Sequence, residues 1–281
     1  MKVVVSLPIH NSIEVAQSQV KNIQYFLPGA VVVLHLSRNF EWGKGVKSLA
    51  PLEIDNVLIN PERFPTRWGS GLLVDVHNSN FKFAKENLRF DYFVMHSSND
   101  LFVKKGVYDY ISAFDAGCAQ WDFSSLIQKL KTDSHFSEIE IKNEHPLQKD
   151  MALASMMKHL GLSEVLGSQI EGSFYKADIF EQMVGVIEKY YSCLNYDLVY
   201  PKEEFYYSTI VSKFAQSIGD VYTFFNWKSV ITNEVVDNIR DNNPSCQNDL
   251  GVFDFANIYN VKRINRDLGD PVRKYIMSLE K

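Results

Sequence analysis

A strand, helix and strand pattern at the start of the chain constrains the fold more than any other feature. Residues 3–8 and 30–36 are short runs rich in β-branched side chains, typical of buried strands and too short for helices. Between them, residues 12–26 carry apolar side chains at three- and four-residue steps, which predicts a helix with one apolar face. This order of strand, helix and strand predicts a right-handed crossover unit with two parallel strands.

The pattern continues with a weak strand at 57–59, a helix at 71–87 and a strand at 92–96. The polar cluster Ser97-Ser98-Asn99-Asp100 follows directly. Open α/β sheets hold ligands at the carboxyl ends of their parallel strands, so residues 96–100 form a candidate site. The alternative is an Asn-Asp turn that caps a helix at 104–114.

The remainder of the chain is less regular. A polar, charge-mixed stretch at 129–149 is typical of a surface loop or insertion. No internal repeat or linker is visible, which favours one α/β domain over 1–281 with an elaborated C-terminal half. Further helices are predicted at 150–166, 174–191, 203–218 and 271–278.

Composition excludes several classes of protein. With 281 residues and 46% hydrophobic side chains, the chain can bury a full core. A net charge of -5 has the wrong sign for a protein that coats nucleic acid. Cys118, Cys193 and Cys246 form no CxxC pair, so neither a disulfide framework nor a thiolate zinc site is expected. No apolar run approaches the ~20 residues of a membrane span, and we expect a soluble, cytoplasmic protein.

Common cofactor motifs are missing. The sequence holds no HExxH, no GxGxxG after the first strand and no Walker-type loop, and no Asp-x-Asp ends a strand. We therefore expect no metal and no resident cofactor. A bound nucleotide diphosphate would have to be neutralised by cationic side chains.

Two segments of the C-terminal half stand out: Glu171-Gly172-Ser173-Phe174-Tyr175, and Pro201 to Thr209, which contains Glu203 and Glu204. Proline followed by acidic residues is typical of a helix start, where the helix dipole favours negative charge. That structural reading would account for both glutamates without any catalytic role.

Six segments in order resemble the core-2/I-branching β-1,6-N-acetylglucosaminyltransferase family, which includes the peptide O-xylosyltransferases. Residues 33–38 resemble its "I-H-V-D" strand and residues 95–100 its "L-S-G-x-D" loop. Residues 171–175 resemble "S-G-S-x-[YW]-F", and Pro201 to Thr209 resembles "S-P-D-E-x-x-[FW]-x-T". Residues 7–10 and 65–69 match its first strand and the segment before the next helix.

The resemblance implies a GT-A-like, Rossmann-type α/β fold: a mixed, mostly parallel sheet flanked by helices. Residues 1–120 would bind the nucleotide sugar, and residues 121–281 would bind the acceptor and carry the catalytic base. The implied activity is transfer of a sugar from a UDP-sugar, with inversion and without a divalent metal. The implied general base is Glu204, with Glu203 as the fallback because one extra residue follows Pro201.

The resemblance also implies an Arg and a Lys that neutralise the UDP diphosphate, matched by Arg240 and by either Lys262 or Arg263. Ser37 stands where "I-H-V-D" ends in aspartate, which puts one donor contact in doubt. His10 is our choice for a contact with the uracil, and the equal alternative on sequence alone is a core or capping histidine. Trp68 and Trp227 could offer a ring face to a sugar or to the base, but core packing is the commoner fate of a tryptophan. The full assignment is His10, Ser37, Arg67, Arg240, Lys262 and Arg263 for the donor, and Asn99, Asp100 and Glu171 for sugar hydroxyls.

Vertebrate members of that family carry a signal-anchor and a disulfide set that this chain lacks. We therefore expect a bacterial-type cytoplasmic enzyme of surface polysaccharide synthesis, acting on a glycan or lipid-linked oligosaccharide with at most transient membrane contact. Two rival hypotheses remain. One is a non-catalytic glycan- or nucleotide-binding module, favoured by Ser37. The other is a membrane-surface scaffold, favoured by the basic stretch near the C-terminus.

Overall fold

A computed structural model of the 281-residue chain describes residues 1–10, 12–40, 52, 54–67, 69–122, 149–225, 231–243 and 254–280, and the backbone of 247–248 and 251–252. Trp68, Trp227, Cys246 and almost all of the predicted loop at 129–149 lie outside these residues.

Fourteen strands and eight helices are assigned within the described part of the chain. The strands are β1 (Val3–Ile9), β2 (Val31–Leu36), β3 (Val57–Asn60), β4 (Tyr92–Met95), β5 (Asp100–Phe102), β6 (Ala116–Gly117), β7 (Trp121–Asp122), β8 (Leu166–Gly167), β9 (Phe174–Lys176), β10 (Ile218–Gly219), β11 (Thr223–Phe224), β12 (Gln247–Asn248), β13 (Gly251–Val252) and β14 (Asn260–Lys262). The helices are α1 (Ile13–Phe26), α2 (Leu72–Asn87), α3 (Val107–Ser112), α4 (Met151–Leu160), α5 (Ala177–Lys189), α6 (Lys202–Ile210), α7 (Asn233–Arg240) and α8 (Pro271–Ser278).

The central sheet has the order β10-β6-β9-β4-β1-β2-β3. Strand β1 pairs in parallel with β2 on one side and with β4 on the other. Strand β9 is antiparallel to both β4 and β6. The predicted α/β class, with a mixed, mostly parallel sheet flanked by helices, is confirmed.

Both faces of the inner strands β1, β2 and β4 are buried, as expected for parallel strands, whereas most residues of the edge strands β3 and β10 are partly exposed. Successive residues of β1 point to opposite faces, so Val3 and Val5 pack in the core under α1, while Val4 packs in the core that contains residues of α2, α5 and α6. The predicted strand, helix and strand unit at the N-terminus is confirmed.

A smaller sheet, β11-β14-β5, lies beside the first. Strand β14 pairs antiparallel with β5, which places Lys262 opposite Asp100. Residues about 160 positions apart thereby become neighbours, a pairing that no local sequence pattern signals.

Several predicted helix boundaries are wrong. Residues 174–176 form strand β9, because their backbone pairs with β4 and β6. The helix predicted at 203–218 is α6, which ends at Ile210 before a short 3₁₀ turn and strand β10. The helix predicted at 104–114 is shortened to α3. In the described part of the chain, no helix is long and apolar enough to cross a membrane.

Candidate active site

The topology of the central sheet puts its switch point at β1. The chain runs from β1 outward through β2 and β3, then crosses back to place β4 on the other side of β1. A crevice forms at the carboxyl ends of the two strands that flank such a point. His10 follows β1 there, and Ser97 to Asp100 follow β4.

Asp100 is fully engaged within the β4–β5 loop. Its carboxylate accepts hydrogen bonds from the Ser97 backbone N–H at 3.0 Å and hydroxyl at 2.6 Å, and lies 2.6 Å from Nδ1 of His96. Its side chain is completely buried. The Asp100 carboxylate therefore shapes this loop, and its expected contact with a sugar hydroxyl stays a prediction. Asn99 is partly exposed on the same loop.

Arg266 lies beside the loop that follows β4, and its charge also acts on His10, which follows β1. Its guanidinium donates to the Ser98 hydroxyl at 3.0 Å. Burial, assisted by the charge of Arg266, lowers the pKa of His10 to about 4, so its imidazole is neutral at pH 7. The His10 Nδ1 lies 2.8 Å from the Thr66 hydroxyl. Sequence reasoning left Arg266 unassigned within the basic stretch, because its partners come from distant parts of the chain.

Lys262 and Arg263 lie at the end of β14, beside the same loop. The Lys262 ammonium is 2.6 Å from Oε1 of Glu171, and the two side chains are only 12% and 7% exposed. Arg263 is exposed, and its backbone is left-handed with φ 73°, a conformation that costs a non-glycine residue about 1–3 kcal/mol. The next residue, Ile264, secures this turn by donating its N–H to the Asn99 carbonyl at 2.8 Å.

Glu171 reaches this place because of Gly172. The Gly172 N–H donates to the Met95 carbonyl at 2.8 Å, which attaches the Glu171 loop to the end of β4. Gly172 has φ 82°, and a Cβ there would lie 2.3 Å from the Thr223 hydroxyl oxygen. Glycine thus meets both a conformational and a steric requirement.

Glu203 and Glu204 occupy the first turn of α6, as the sequence predicts. The pKa of Glu204 is raised to about 8, chiefly by burial; Lys262 and Arg263 act to lower it, and Glu203 and Glu171 act to raise it. Burial also raises the pKa of Glu203 to about 7. Three carboxylates and two cations therefore interact electrostatically and form one charged cluster: Glu171, Glu203, Glu204, Lys262 and Arg263.

The two glutamates of α6 differ in accessibility. Glu203 is 5% exposed, and its Oε2 has no hydrogen-bond partner among the described residues. Glu204 is partly exposed, and its backbone carbonyl accepts from the Ser168 N–H at 2.8 Å. Of the two glutamates, Glu204 is the more exposed residue, and its backbone is fixed by this hydrogen bond.

Three residues that the sequence assigns to donor binding, Arg240, Ser37 and Arg67, are not part of this charged cluster. Arg240 is exposed at the end of α7 and pairs with Asp237 at 3.5 Å; none of its contacts among the described residues reaches the cluster. Ser37 is buried beside the end of β1, where its N–H donates to the Ile9 carbonyl at 2.9 Å. Arg67 is exposed and adjoins Thr66, the neighbour of His10.

A metal site is not evident in the ranges described above: no group of three or more His, Cys, Asp and Glu side chains is placed to hold an ion there.

No family model matches this chain, and no curated protein matches it. Among solved structures, it is similar to the galactosyltransferase LgtC in complex with donor and acceptor sugar analogues, with TM-score 0.45 and 10% identity over 100% of this chain and 95% of that one. An active-site mutant of LgtC gives TM-score 0.46 and 9% identity over 99% and 95%. S. aureus TarS gives TM-score 0.41 and 14% identity over 79% and 35%. Likenesses this distant assign no function.

Proposed function

We propose that the chain is a GT-A-type glycosyltransferase that transfers a sugar from a UDP-sugar to a glycan acceptor, with inversion. The observation that supports this most is a partly exposed glutamate, Glu204, on whose carboxyl the charges of Lys262 and Arg263 act, beside the switch point of an open α/β sheet. A carboxylate and cations are the groups that direct sugar transfer requires.

In the proposed reaction, an acceptor hydroxyl oxygen attacks the anomeric carbon while Glu204 takes its proton. The bond between that carbon and the diphosphate oxygen breaks, and UDP leaves with the electron pair. Because the attack and departure occur on opposite faces, the configuration inverts. General-base action of this kind is typically worth about 10²–10⁴-fold in rate.

The leaving diphosphate would be neutralised by Arg266 together with Lys262 or Arg263. These side chains supply fixed positive charge where negative charge develops. We assign to Arg266, and not to Arg240, the neutralisation of the diphosphate. Arg266 contacts the loop after β4, whereas Arg240 pairs with Asp237. We propose that no divalent metal is needed. The Asp100 carboxylate, which could otherwise serve as a metal ligand, already contacts His96 through one oxygen and Ser97 through the other.

The remaining assignments follow the same layout. His10 is partly exposed, neutral and next to Arg266, which suits contact with the uracil. Ser37 and Arg67 would line the donor's nucleoside side, and Asn99 would contact a sugar hydroxyl. A glycan or lipid-linked acceptor of surface polysaccharide synthesis, and a cytoplasmic or membrane-peripheral location, complete the proposal.

The test is thermal unfolding with and without UDP in the presence of EDTA. At a UDP concentration near 100 times its Kd, binding should stabilise the protein by about 2.7 kcal/mol. Arg266→Met should abolish most of this stabilisation, whereas Arg240→Met should retain it. Stabilisation that survives Arg266→Met but not Arg240→Met would contradict the assignment. UDP binding with no release of sugar to any acceptor would favour the non-catalytic nucleotide-binding module.

A further inference from the structure

The ion pair between Lys262 and Glu171 occupies the position where the proposed function needs a free cation. Lys262 lies beside the Asp100 loop through its register in β14, and its ammonium is 2.6 Å from Glu171. The second Glu171 oxygen is held by the side-chain amide of Gln169. Both carboxylate oxygens of Glu171 are thereby engaged by protein groups.

The pair is also well shielded from water. Exposure of 12% for Lys262 and 7% for Glu171 means that solvent screens their attraction poorly. Removing one partner of a buried pair leaves the other charge uncompensated, and that is strongly unfavourable. An incoming anion can therefore reach Lys262 at low cost only if it replaces Glu171.

We propose that Glu171 is a positioning residue that stands in for the diphosphate: it holds Lys262 in the empty site, is displaced by the leaving group of the donor, and recaptures Lys262 as UDP departs. The inference rests on the proposed function for the identity of the anion. It departs from the sequence-based assignment of Glu171 to a sugar hydroxyl.

If Glu171 and the diphosphate compete for Lys262, then removing the Glu171 charge should tighten the binding of UDP, whereas most changes in a binding site weaken it. Glu171→Gln keeps the size of the side chain and its contact with Gln169 but removes the negative charge. Lys262 then loses the counter-ion in direct contact with it, so an anionic ligand should bind more tightly. Since a hydrogen bond to a charged group is typically worth about 1.5–3 kcal/mol, the Kd for UDP should fall by about tenfold or more.

Turnover should respond in the opposite direction. Without Glu171 to recapture Lys262, UDP leaves more slowly, so kcat falls together with KM. A residue that merely bound a sugar hydroxyl would instead raise KM or lower kcat without tightening UDP. This split between kcat and KM separates the positioning role from a structural or sugar-binding role.

Glu171 also acts on the α6 carboxylates. Glu204 is faced by Glu203 on its own helix, Glu171 on the loop before β9, Lys262 at the end of β14, and Arg263 directly after that strand. Removing the Glu171 charge takes away one repulsive neighbour and frees Lys262. The Glu204 carboxyl should then titrate at lower pH than in the wild type, a shift that carboxyl NMR detects without any ligand.

The experiment compares the wild type, Glu171→Gln and Asp115→Asn by calorimetric titration with UDP and with inorganic pyrophosphate. Asp115 is the matched control, because it pairs with Lys176 at 2.7 Å at the other end of β9. We expect tighter binding of both probes only in Glu171→Gln. Unchanged or weaker binding in Glu171→Gln would overturn the inference, as would a Glu204 titration that moves to higher pH.

Failure of the inference and failure of the proposed function are distinguishable. Turnover of a UDP-sugar with unaltered UDP affinity in Glu171→Gln would refute the stand-in role and leave the proposed function intact. Tighter pyrophosphate binding in Glu171→Gln, with no turnover of any UDP-sugar, would support the stand-in role and refute the transferase. If neither probe binds any of the folded proteins, both fall.

Discussion

Glu204 and Glu203 are adjacent in sequence, yet their surroundings give them different chemistry. Both lie in the first turn of α6, where the helix dipole favours negative charge. Glu203 is buried with one carboxylate oxygen lacking a hydrogen-bond partner in the described structure, and Glu204 is partly exposed. Only an accessible carboxylate can reach an acceptor hydroxyl.

The two glutamates make a matched pair of variants. Glu204→Gln should lower kcat by about 10²–10⁴-fold while UDP still stabilises the protein, because the base is lost and the cations remain. Glu203→Gln should retain most of the turnover. Initial rates of UDP release from a UDP-sugar with acceptor, alongside UDP-dependent melting temperatures, measure both. A larger loss in Glu203→Gln would move the base to Glu203.

The pH dependence follows from the raised pKa of Glu204. A base acts in its ionised form, and burial raises the pKa of Glu204 to about 8, so kcat/KM should increase as pH rises through about 8. Lys262 favours the ionised form, so Lys262→Met should shift this limb to higher pH. The pH profiles of the wild type, Lys262→Met and the control Lys176→Met give the measurement. A limb that moves to lower pH in Lys262→Met would contradict the assignment.

At the scale of elements, the site depends on the contact between the Glu171 loop and the end of β4. Local sequence indicates the start of α6 and its acidic first turn correctly, but it extends the helix to 218, beyond its end at Ile210. It misplaces residues 174–176 in a helix, because their apolar side chains suit either structure and only pairing with β4 and β6 selects a strand. The left-handed backbone of Gly172 lets the chain turn just before it enters this strand.

Two glycines test this contact. Gly172→Ala should destabilise the protein by about 2–5 kcal/mol, since it adds left-handed strain to a clash with Thr223. Gly161 has φ 63° but open space around its Cβ position, so Gly161→Ala should cost only about 1–2 kcal/mol. Urea unfolding provides both values. Equal losses would show that the close approach to Thr223 contributes nothing.

At the scale of the molecule, the C-terminal residues complete a site that begins at the N-terminus. Arg273 of α8 is 1% exposed, and it donates from Nε to the Asn265 carbonyl at 2.7 Å and from Nη1 to the Ser18 hydroxyl of α1 at 3.3 Å. The turn that carries Arg266 is therefore anchored to the first helix of the chain.

Two neighbouring cationic residues of α8, Arg273 and Lys274, test whether Arg273 anchors the turn that carries Arg266. Arg273→Met should lower the free energy of unfolding by about 1–3 kcal/mol, because the part-buried hydrogen bond from its charged side chain to the Asn265 carbonyl is lost. It should also weaken UDP-dependent stabilisation, since Arg266 is no longer held beside Ser98. Lys274→Met, an exposed neighbour, should change stability by no more than about 0.5 kcal/mol. Chemical unfolding with and without UDP distinguishes the two, and identical behaviour would remove the anchoring role.

The sequence by itself determined the α/β class, the first parallel unit and the acidic start of α6, because hydrophobic periodicity and helix-start signals are local. Tertiary structure alone decided which charges share the site. It joined Arg266 to Ser98, paired Lys262 with Glu171, enclosed Asp100 and left Arg240 on an exposed helix end. Those neighbours come from strand pairing and turns far apart along the chain, and burial, which sets the acidity of each group, exists only once the chain has folded.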